Sequence, residues 1–326
     1  MNDGKALIDW RSRLAERGFP GARQVPCMHG AAVLRSFGEA LAAEAALREL
    51  LGRAPEEEGV LRALMKLLHE TGRSEECVPL RRRLHLRRCR ELGIPEDQWE
   101  SAIAFLEATE TGAAAPRASD AYVAALFDQY SGHFDQKLCG DLSYRAPEHV
   151  LEALGETLSG RGGLEVLDLG CGTGLAGVRV RPLARRLTGV DLSAGMLERA
   201  RERGVYDALY TGELTAWLGA AEARYELVLA VDVLVYFGAL EELFTQVARR
   251  LAPGGLFAFT AEKGPGPGHQ LRPTGRYVHH ADYLRESARG VGLAPVVEHE
   301  RVLRTERGEP VIGHVMVMSS PDSRLL

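Results

Sequence analysis

Asp168, Gly170, Gly172, Gly174 and Asp191 stand in a pattern suited to holding a ligand against the main chain. The apolar run Leu164-Glu165-Val166-Leu167-Asp168-Leu169 breaks into Gly170-Cys171-Gly172-Thr173-Gly174 and then into a helix-like segment. Glycines at alternate positions let the chain turn tightly and leave no Cβ between backbone and ligand. A dinucleotide fingerprint reads G-x-G-x-x-G, with a helix N-terminus aimed at a pyrophosphate; this turn reads G-x-G-x-G. The plainer reading is a Gly-rich turn that serves only the fold. Asp191 argues against it, because it closes the next apolar run, Leu187-Thr188-Gly189-Val190-Asp191. At the tip of the second strand of a βαβ unit, a carboxylate stands beside the first turn and can accept both ribose hydroxyls of an adenosine. The alternative of an N-cap is left to Ser193, itself a good cap for the helix that follows.

Strand-like and helix-like segments alternate from about residue 160, which argues for an α/β domain with a parallel sheet flanked by helices. Strands are expected near 164–169, 186–191, 206–210, 226–231 and 255–261, and helices near 175–184, 194–203, 239–251 and 281–291. Two final segments, Pro295 to Arg304 and Pro310 to Met318, are joined by Glu306-Arg307-Gly308-Glu309 and read as a hairpin. Ligands of such sheets bind beyond the carboxyl ends of the strands. That gathers Gly170, Asp191, Glu213 and Asp232 on one rim.

At these residues the chain resembles the class I S-adenosylmethionine-dependent methyltransferases. Leu167 to Gly174 matches their first motif, and Val190-Asp191-Leu192-Ser193 with Met196-Leu197 their second. Glu213-Leu214 stands where the family has an acidic residue, usually Asp, for the adenine amino group. Tyr225 to Phe237 is similar to the fourth strand and the loop facing the transferable methyl, and Leu251 to Phe259 to the turn into the fifth. The segments Ala121 to Asp135, Leu142 to Pro147, Val233 to Gly238 and Leu271 to His280 are similar to those of bacterial tetratricopeptide-repeat methyltransferases.

The resemblance implies a Rossmann-like seven-stranded methyltransferase sheet whose last strand is antiparallel. It implies S-adenosylmethionine as cofactor, held by Tyr130, Phe134, Asp168, Gly170, Gly172, Gly174, Asp191, Leu192, Met196, Glu213, Leu214, Asp232 and Val233. The chemistry is in-line displacement at a methyl carbon, for which the protein must align a nucleophile and exclude water. No metal is expected, since Asp232 lacks an accompanying Asp-Asn pair. An alcohol or protonated amine acceptor would need a general base; His133, Tyr236, His279 and His280 are the catalytic candidates. The histidines also carry plain readings, His133 as packing and His279-His280 as a cap for the helix near Ala281. Arg145, Arg272, Arg276 and Tyr277 are candidates for binding an anionic or aromatic substrate. Lys263 to His269 reads as a mobile Gly/Pro loop gating the site. Cys171, between two glycines, reads as packing rather than as a nucleophile.

Residues 1–112 read as helical. Leu61, Leu64, Met65 and Leu68 fall on one helix face, after Pro55-Glu56-Glu57-Glu58, a helix start with acidic residues in its first turn. The span from about Ala43 to Cys89 is similar to one and a half tetratricopeptide repeats. Residues 113–119 are expected as a linker and residues 120–326 as the methyltransferase domain.

At 326 residues and 45% hydrophobic content the chain is large enough for two packed units. Five cysteines form no C-x-x-C pair. Met1 to Lys5 lacks a basic segment leading into an apolar run, so a reduced, cytoplasmic setting away from membranes is expected. The basic cluster Arg81-Arg82-Arg83 with Arg87, Arg88 and Arg90 lies in a chain of formal charge −5. It lacks interleaved aromatics and reads as a solvated face balanced by Glu75, Glu76 and Glu91, not as a nucleic-acid site. The expected partners are a small-molecule substrate or one presented by a carrier or protein, with a possible protein partner on the helical domain. Two rivals remain: a cofactor-sensing interaction protein without turnover, and an NAD-dependent oxidoreductase, which the glycine spacing disfavours.

Overall fold

A computed structural model describes residues 9–18, 28–113, 115–158 and 160–321. Met1 to Lys5, Cys27 and Ala114 lie outside the described residues, as does the Cys139 side chain. The chain divides into two compact units, Met1–Glu91 and Leu92–Leu326.

In the first unit the helices Trp10–Glu16, Met28–Ser36, Ala40–Arg53, Glu58–Glu70 and Cys77–Leu92 follow one another. Leu61, Leu64 and Leu68 are fully buried along one face of Glu58–Glu70, as their spacing requires, while Met65 is half-buried. Val60 and Leu67 are buried too, so the helix is covered over more than one stripe. In the basic cluster Arg87 pairs with Glu91 at 2.7 Å and Arg90 grips both oxygens of Glu56 at 2.7 and 2.8 Å. Glu76, expected to balance this cluster, pairs with Arg73 and Arg48.

The second unit holds the strands β1 Leu164–Leu169, β2 Ala184–Asp191, β3 Ala208–Thr211, β4 Tyr225–Ala230, β5 Leu251–Glu262, β6 His269–Leu271, β7 Tyr277–His279, β8 Ala294–Glu306 and β9 Glu309–Ser319. A seven-stranded sheet has the order β3-β2-β1-β4-β5-β9-β8, and β6 pairs with β7 separately. β9 runs antiparallel to both neighbours, β5 and β8, while β1 to β5 are mutually parallel. Successive side chains of the central strands enter opposite cores. Leu227 and Leu229 of β4, Ala258 of β5 and Val315 and Val317 of β9 pack on one face. Val228, Ala230, Phe257, Phe259, Met316 and Met318 pack on the other. Each such fully buried Leu, Val, Phe or Met contributes about 1.5–3 kcal/mol, so the strand ends stand on a stiff base.

The unit boundary falls before the expected one. Helix Trp99–Thr111 belongs to the second unit, where Phe105 and Ala108 pack with Ala118, Val123, Leu271 and Tyr277. Within 113–119, small residues and a proline permit close approach rather than a free tether. Tyr277 donates to the Ala115 carbonyl at 2.9 Å, Gly238 and Ala239 N–H donate to that of Pro116, and Ala118 N–H donates to that of Tyr236.

Candidate cofactor and acceptor site

A cavity opens at the carboxyl ends of β1, β2, β3 and β4, with about 1040 Å³ of space, its open mouth included. Gly170, Gly172, Asp168, Asp191, Leu192, Glu213, Leu214, Asp232 and Val233 line it, together with Phe134, Tyr236 and Arg276. Gly170 has φ 66°, and a Cβ there would stand 2.4 Å from Val233 Cγ2, so only glycine brings the turn this close to the loop after β4. A Cβ on Gly172 would meet no protein atom within 4 Å; its missing side chain is open space on the cavity wall.

Asp191 accepts the Gly172 N–H at 2.8 Å through Oδ2 and the Ser193 N–H at 2.8 Å through Oδ1. Each oxygen keeps a lone pair for a hydroxyl donor. Ser193 caps helix Ala194–Glu202 by accepting from Met196 N–H. Burial pushes the Asp191 carboxyl above its ordinary value, against the pull of those amides. A group with two adjacent hydroxyls and an apolar ring fits here, with the ring lying toward Leu192 and Leu214. Glu213 caps its own helix, Leu214–Ala220, accepting from Thr215 and Ala216 N–H at 2.9 and 2.7 Å, and pairs with Arg117 at 2.9 Å. Burial raises its pKa, but these donors outweigh it and hold the carboxylate low. A contact to an adenine amino group would compete with both.

The other end of the cavity carries a buried charge network, of which the sequence singled out Asp232 and Arg276 but not Arg304, Glu262 or Glu306. Arg304, only 1% exposed, donates to Asp232 at 3.3 Å, to Glu306 at 2.7 Å and to Glu262. Arg276 donates to Glu262 at 3.0 Å and stands 3.9 Å from Asp232. Asp232 itself has φ 56°, an uncommon conformation for a non-glycine residue, and its N–H is fixed by Thr260 Oγ1 at 2.8 Å. Burial raises its pKa, and Arg304 and Arg276 pull it back. Above the network stand Tyr144 and Tyr236, whose phenols burial pushes up, with the Asp232 charge adding to the effect on Tyr144. Phe127 packs edge-on against both Phe134 and Tyr236, with ring centroids 5.7 and 5.5 Å away.

The segment bearing Phe134 is tied down by two carboxylates that the sequence did not single out. Asp128 accepts from Ser193 Oγ at 2.5 Å and from Gly195 N–H at 2.9 Å. Asp135 accepts from Thr173 Oγ1 at 2.5 Å and from Arg203.

Several candidates lie elsewhere. Tyr130 and His133 are on the exposed side of that segment. Met196 is buried beneath the cavity wall, and Gly174 makes room for the Tyr206 ring, 3.0 Å from where its Cβ would be. His279 is fully buried in β7 with Nε2 3.2 Å from the Gly238 carbonyl; burial pulls its pKa down to about 4. His280 caps helix Ala281–Gly290, accepting from Asp282 N–H. Arg145 is exposed near Glu152, Arg272 is exposed in the turn between β6 and β7, and Tyr277 is buried on Ala115. None of residues 263–269 lines the cavity; the loop is held at Gly264 N–H by His279 and at the Gly268 carbonyl by His280 N–H. Cys171 is buried, and burial pushes its thiol well up, which suits packing.

Residues 166–255 match a family described as a methyltransferase domain. The human methyltransferase-like protein 27 is 35% identical over 141 residues, 41% of this chain and 55% of that protein. The malonyl-[acyl-carrier protein] O-methyltransferase of Enterobacter lignolyticus is 32% identical over 138 residues, 42% of this chain and 52% of its own. The chain thus spans about half the length of the curated relatives it matches. Among solved structures, the [4+2]-cyclase SpnF shares the fold, with TM-score 0.52 and 17% identity over 65% of this chain and all of that one. Motif, sheet order and matched residues agree that the second unit carries a class I, S-adenosylmethionine-dependent methyltransferase domain.

Proposed function

We propose that this protein transfers the methyl group of S-adenosylmethionine to an oxygen or nitrogen nucleophile of a small molecule or of a substrate presented by a carrier or protein. The observation that supports this most is one cavity lined at once by the Gly170–Thr173 turn, Asp191, Leu214 and the Asp232-Val233 loop. The cofactor supplies an electrophilic methyl on a sulfonium. Asp191 holds the ribose, Gly170 and Gly172 let it lie on the backbone, and Leu192 and Leu214 cover the adenine. Phe127, Phe134 and Tyr236 exclude water from the transfer step. Arg276, Tyr144 and Tyr236 orient the acceptor, and Arg276 is the one candidate substrate residue that lines the cavity. The similarity to a malonyl-[acyl-carrier protein] O-methyltransferase favours an acceptor presented by a carrier protein. In this reading the helices of the first unit form a tetratricopeptide-like platform that receives the carrier or protein.

Calorimetric titration with S-adenosylmethionine, S-adenosylhomocysteine and NAD tests the cofactor. Micromolar binding of the sulfur compounds, no binding of NAD, and a loss of at least about 30-fold in Asp191→Ala are expected from two lost charge-assisted hydrogen bonds. A folded protein that binds neither sulfur compound overturns the reading. Release of S-adenosylhomocysteine with oxygen and nitrogen acceptors then separates turnover from cofactor sensing.

A further inference from the structure

Tyr206 occupies a slot built from glycines. A Cβ on Gly177 would stand 2.2 Å from its hydroxyl, and one on Gly189 2.9 Å from its ring. Gly174, the third glycine of the turn, lies against the same ring. The ring reaches through this slot to Asp168, and its hydroxyl donates to Asp168 Oδ2 at 2.6 Å. Asp168 is 1% exposed, yet it lines the cavity at the end of β1, beside the glycine turn. Among the described residues Tyr206 is the side chain that hydrogen-bonds to it. A buried carboxylate with one neutral donor and no cation is poorly compensated. A ligand that brings an ammonium group completes it.

We propose that Tyr206 is a positioning residue for the cofactor: its phenol fixes one oxygen of Asp168 and thereby turns the other toward the cavity to receive the ammonium of the ligand's amino-acid group. This rests on the cofactor assignment above and adds a residue to it. Tyr206 touches neither the cavity nor the reacting atoms and acts through Asp168. The glycines at 174, 177 and 189 then serve the positioning residue as much as the backbone turn.

The electrostatics support the geometry. Burial lifts the Asp168 carboxyl to about 7, with the phenol hydrogen bond opposing and the Asp191 charge adding to the rise. The groups facing it are Tyr206, Asp191, Cys171 and Tyr144, and burial keeps both phenols and the thiol neutral. An ammonium ligand prefers ionised Asp168, so its affinity climbs as pH rises through the folded value. The phenol favours the ionised form, and its loss moves that midpoint to higher pH.

The test compares S-adenosylhomocysteine with 5′-methylthioadenosine, which lacks the amino-acid group, on wild-type, Tyr206→Phe, Asp168→Asn and the double variant. Phe keeps the ring in its slot, and the melting temperature reports whether the fold survives. Tyr206→Phe is expected to weaken the homocysteine ligand by roughly 5–30-fold while changing the thioadenosine by less than about twofold. Its binding midpoint moves to higher pH, and the change has no further effect in the Asp168→Asn background. If Tyr206→Phe weakens both ligands equally, or neither, the inference is overturned and the cofactor assignment stands. Wild-type protein that binds neither ligand overturns both.

Discussion

Arg304 and Asp232 lie 72 residues apart in the chain and meet through Nη1 and Oδ1 at 3.3 Å, one from β8 and the other from the loop after β4. The contact joins the outermost strand of the sheet to the wall of the cavity. It also places a fully buried guanidinium among three carboxylates, Asp232, Glu262 and Glu306.

Removing that guanidinium leaves carboxylates facing one another with Arg276 as their remaining neighbouring cation in the network. Arg304→Met is expected to destabilise the protein by about 3–5 kcal/mol, the range for breaking a buried ion pair on one side. Urea unfolding measures it. A loss below about 1 kcal/mol would show the carboxylates protonating or rehydrating at little cost.

Gly170 and Val233 compete for the same space. Gly170→Ala places a side chain in left-handed backbone and on top of Val233 Cγ2, at an expected cost of about 2–4 kcal/mol. Val233 Cβ would also stand 2.7 Å from the new methyl, so only removal of the whole neighbouring side chain relieves the clash. Measured against Val233→Gly alone, Gly170→Ala should then cost only the backbone part, and an unchanged cost in that background would place all of it in the backbone.

Two buried groups titrate in opposite senses. The Asp168 carboxyl rises from 3.8 to about 7 on folding, so the folded state binds a proton that the unfolded state has lost, and stability falls as pH rises across that window. His279 is held down to about 4 from 6.5 by burial, so its contribution is complete above 6.5 and is lost as pH falls toward 4. At most Asp168 contributes about 4 kcal/mol and His279 about 3 kcal/mol, and they offset each other between about pH 4 and 6.5. Urea unfolding across that range should show a steeper acid loss in Asp168→Asn and a decline with rising pH in His279→Gln. Two variants with the wild-type slope would contradict both assignments.

Exposed pairs in the first unit carry far less. Arg90 and Glu56 form a bidentate contact, but both side chains are about half exposed. Glu56→Ala should leave the urea-unfolding midpoint almost unchanged, and any small difference should shrink in high salt. A larger, salt-independent loss would mean that Glu56 supports the packing of the turn between helices Ala40–Arg53 and Glu58–Glu70.

The cavity lining around the glycine turn was legible because its determinants are local. A glycine turn directly after a strand and an acid at the next strand's tip announce themselves over short spans, and the sheet alternation follows from apolar periodicity. The other end of the cavity is assembled from β5, β8, the turn before β7 and the segment before residue 146, and no local pattern joins them. Arg304 shows why. Strict alternation would send one of Leu303 and Arg304 outward, but the register shifts between Val302 and Arg304, and the bulge buries both. Tyr206 was hidden for a related reason. Expected inside a strand, it lies just before β3, where its ring leaves the pleat and runs beneath the glycine turn. The histidines misled because residue type suggested chemistry while the fold gave His279 a carbonyl and His280 a helix end.

The short stretch from Ala115 to Ala118 has a consequence for how the protein can be taken apart. Composition invites a cut there, between helical and catalytic halves. Yet Arg117 and Ala118 form part of the cavity wall, and Ala115 and Pro116 anchor Tyr277 and Gly238 behind it. A fragment beginning at Asp120 would lose one side of its own binding chamber. The natural seam precedes Leu92, so modularity here follows packing rather than the run of small residues.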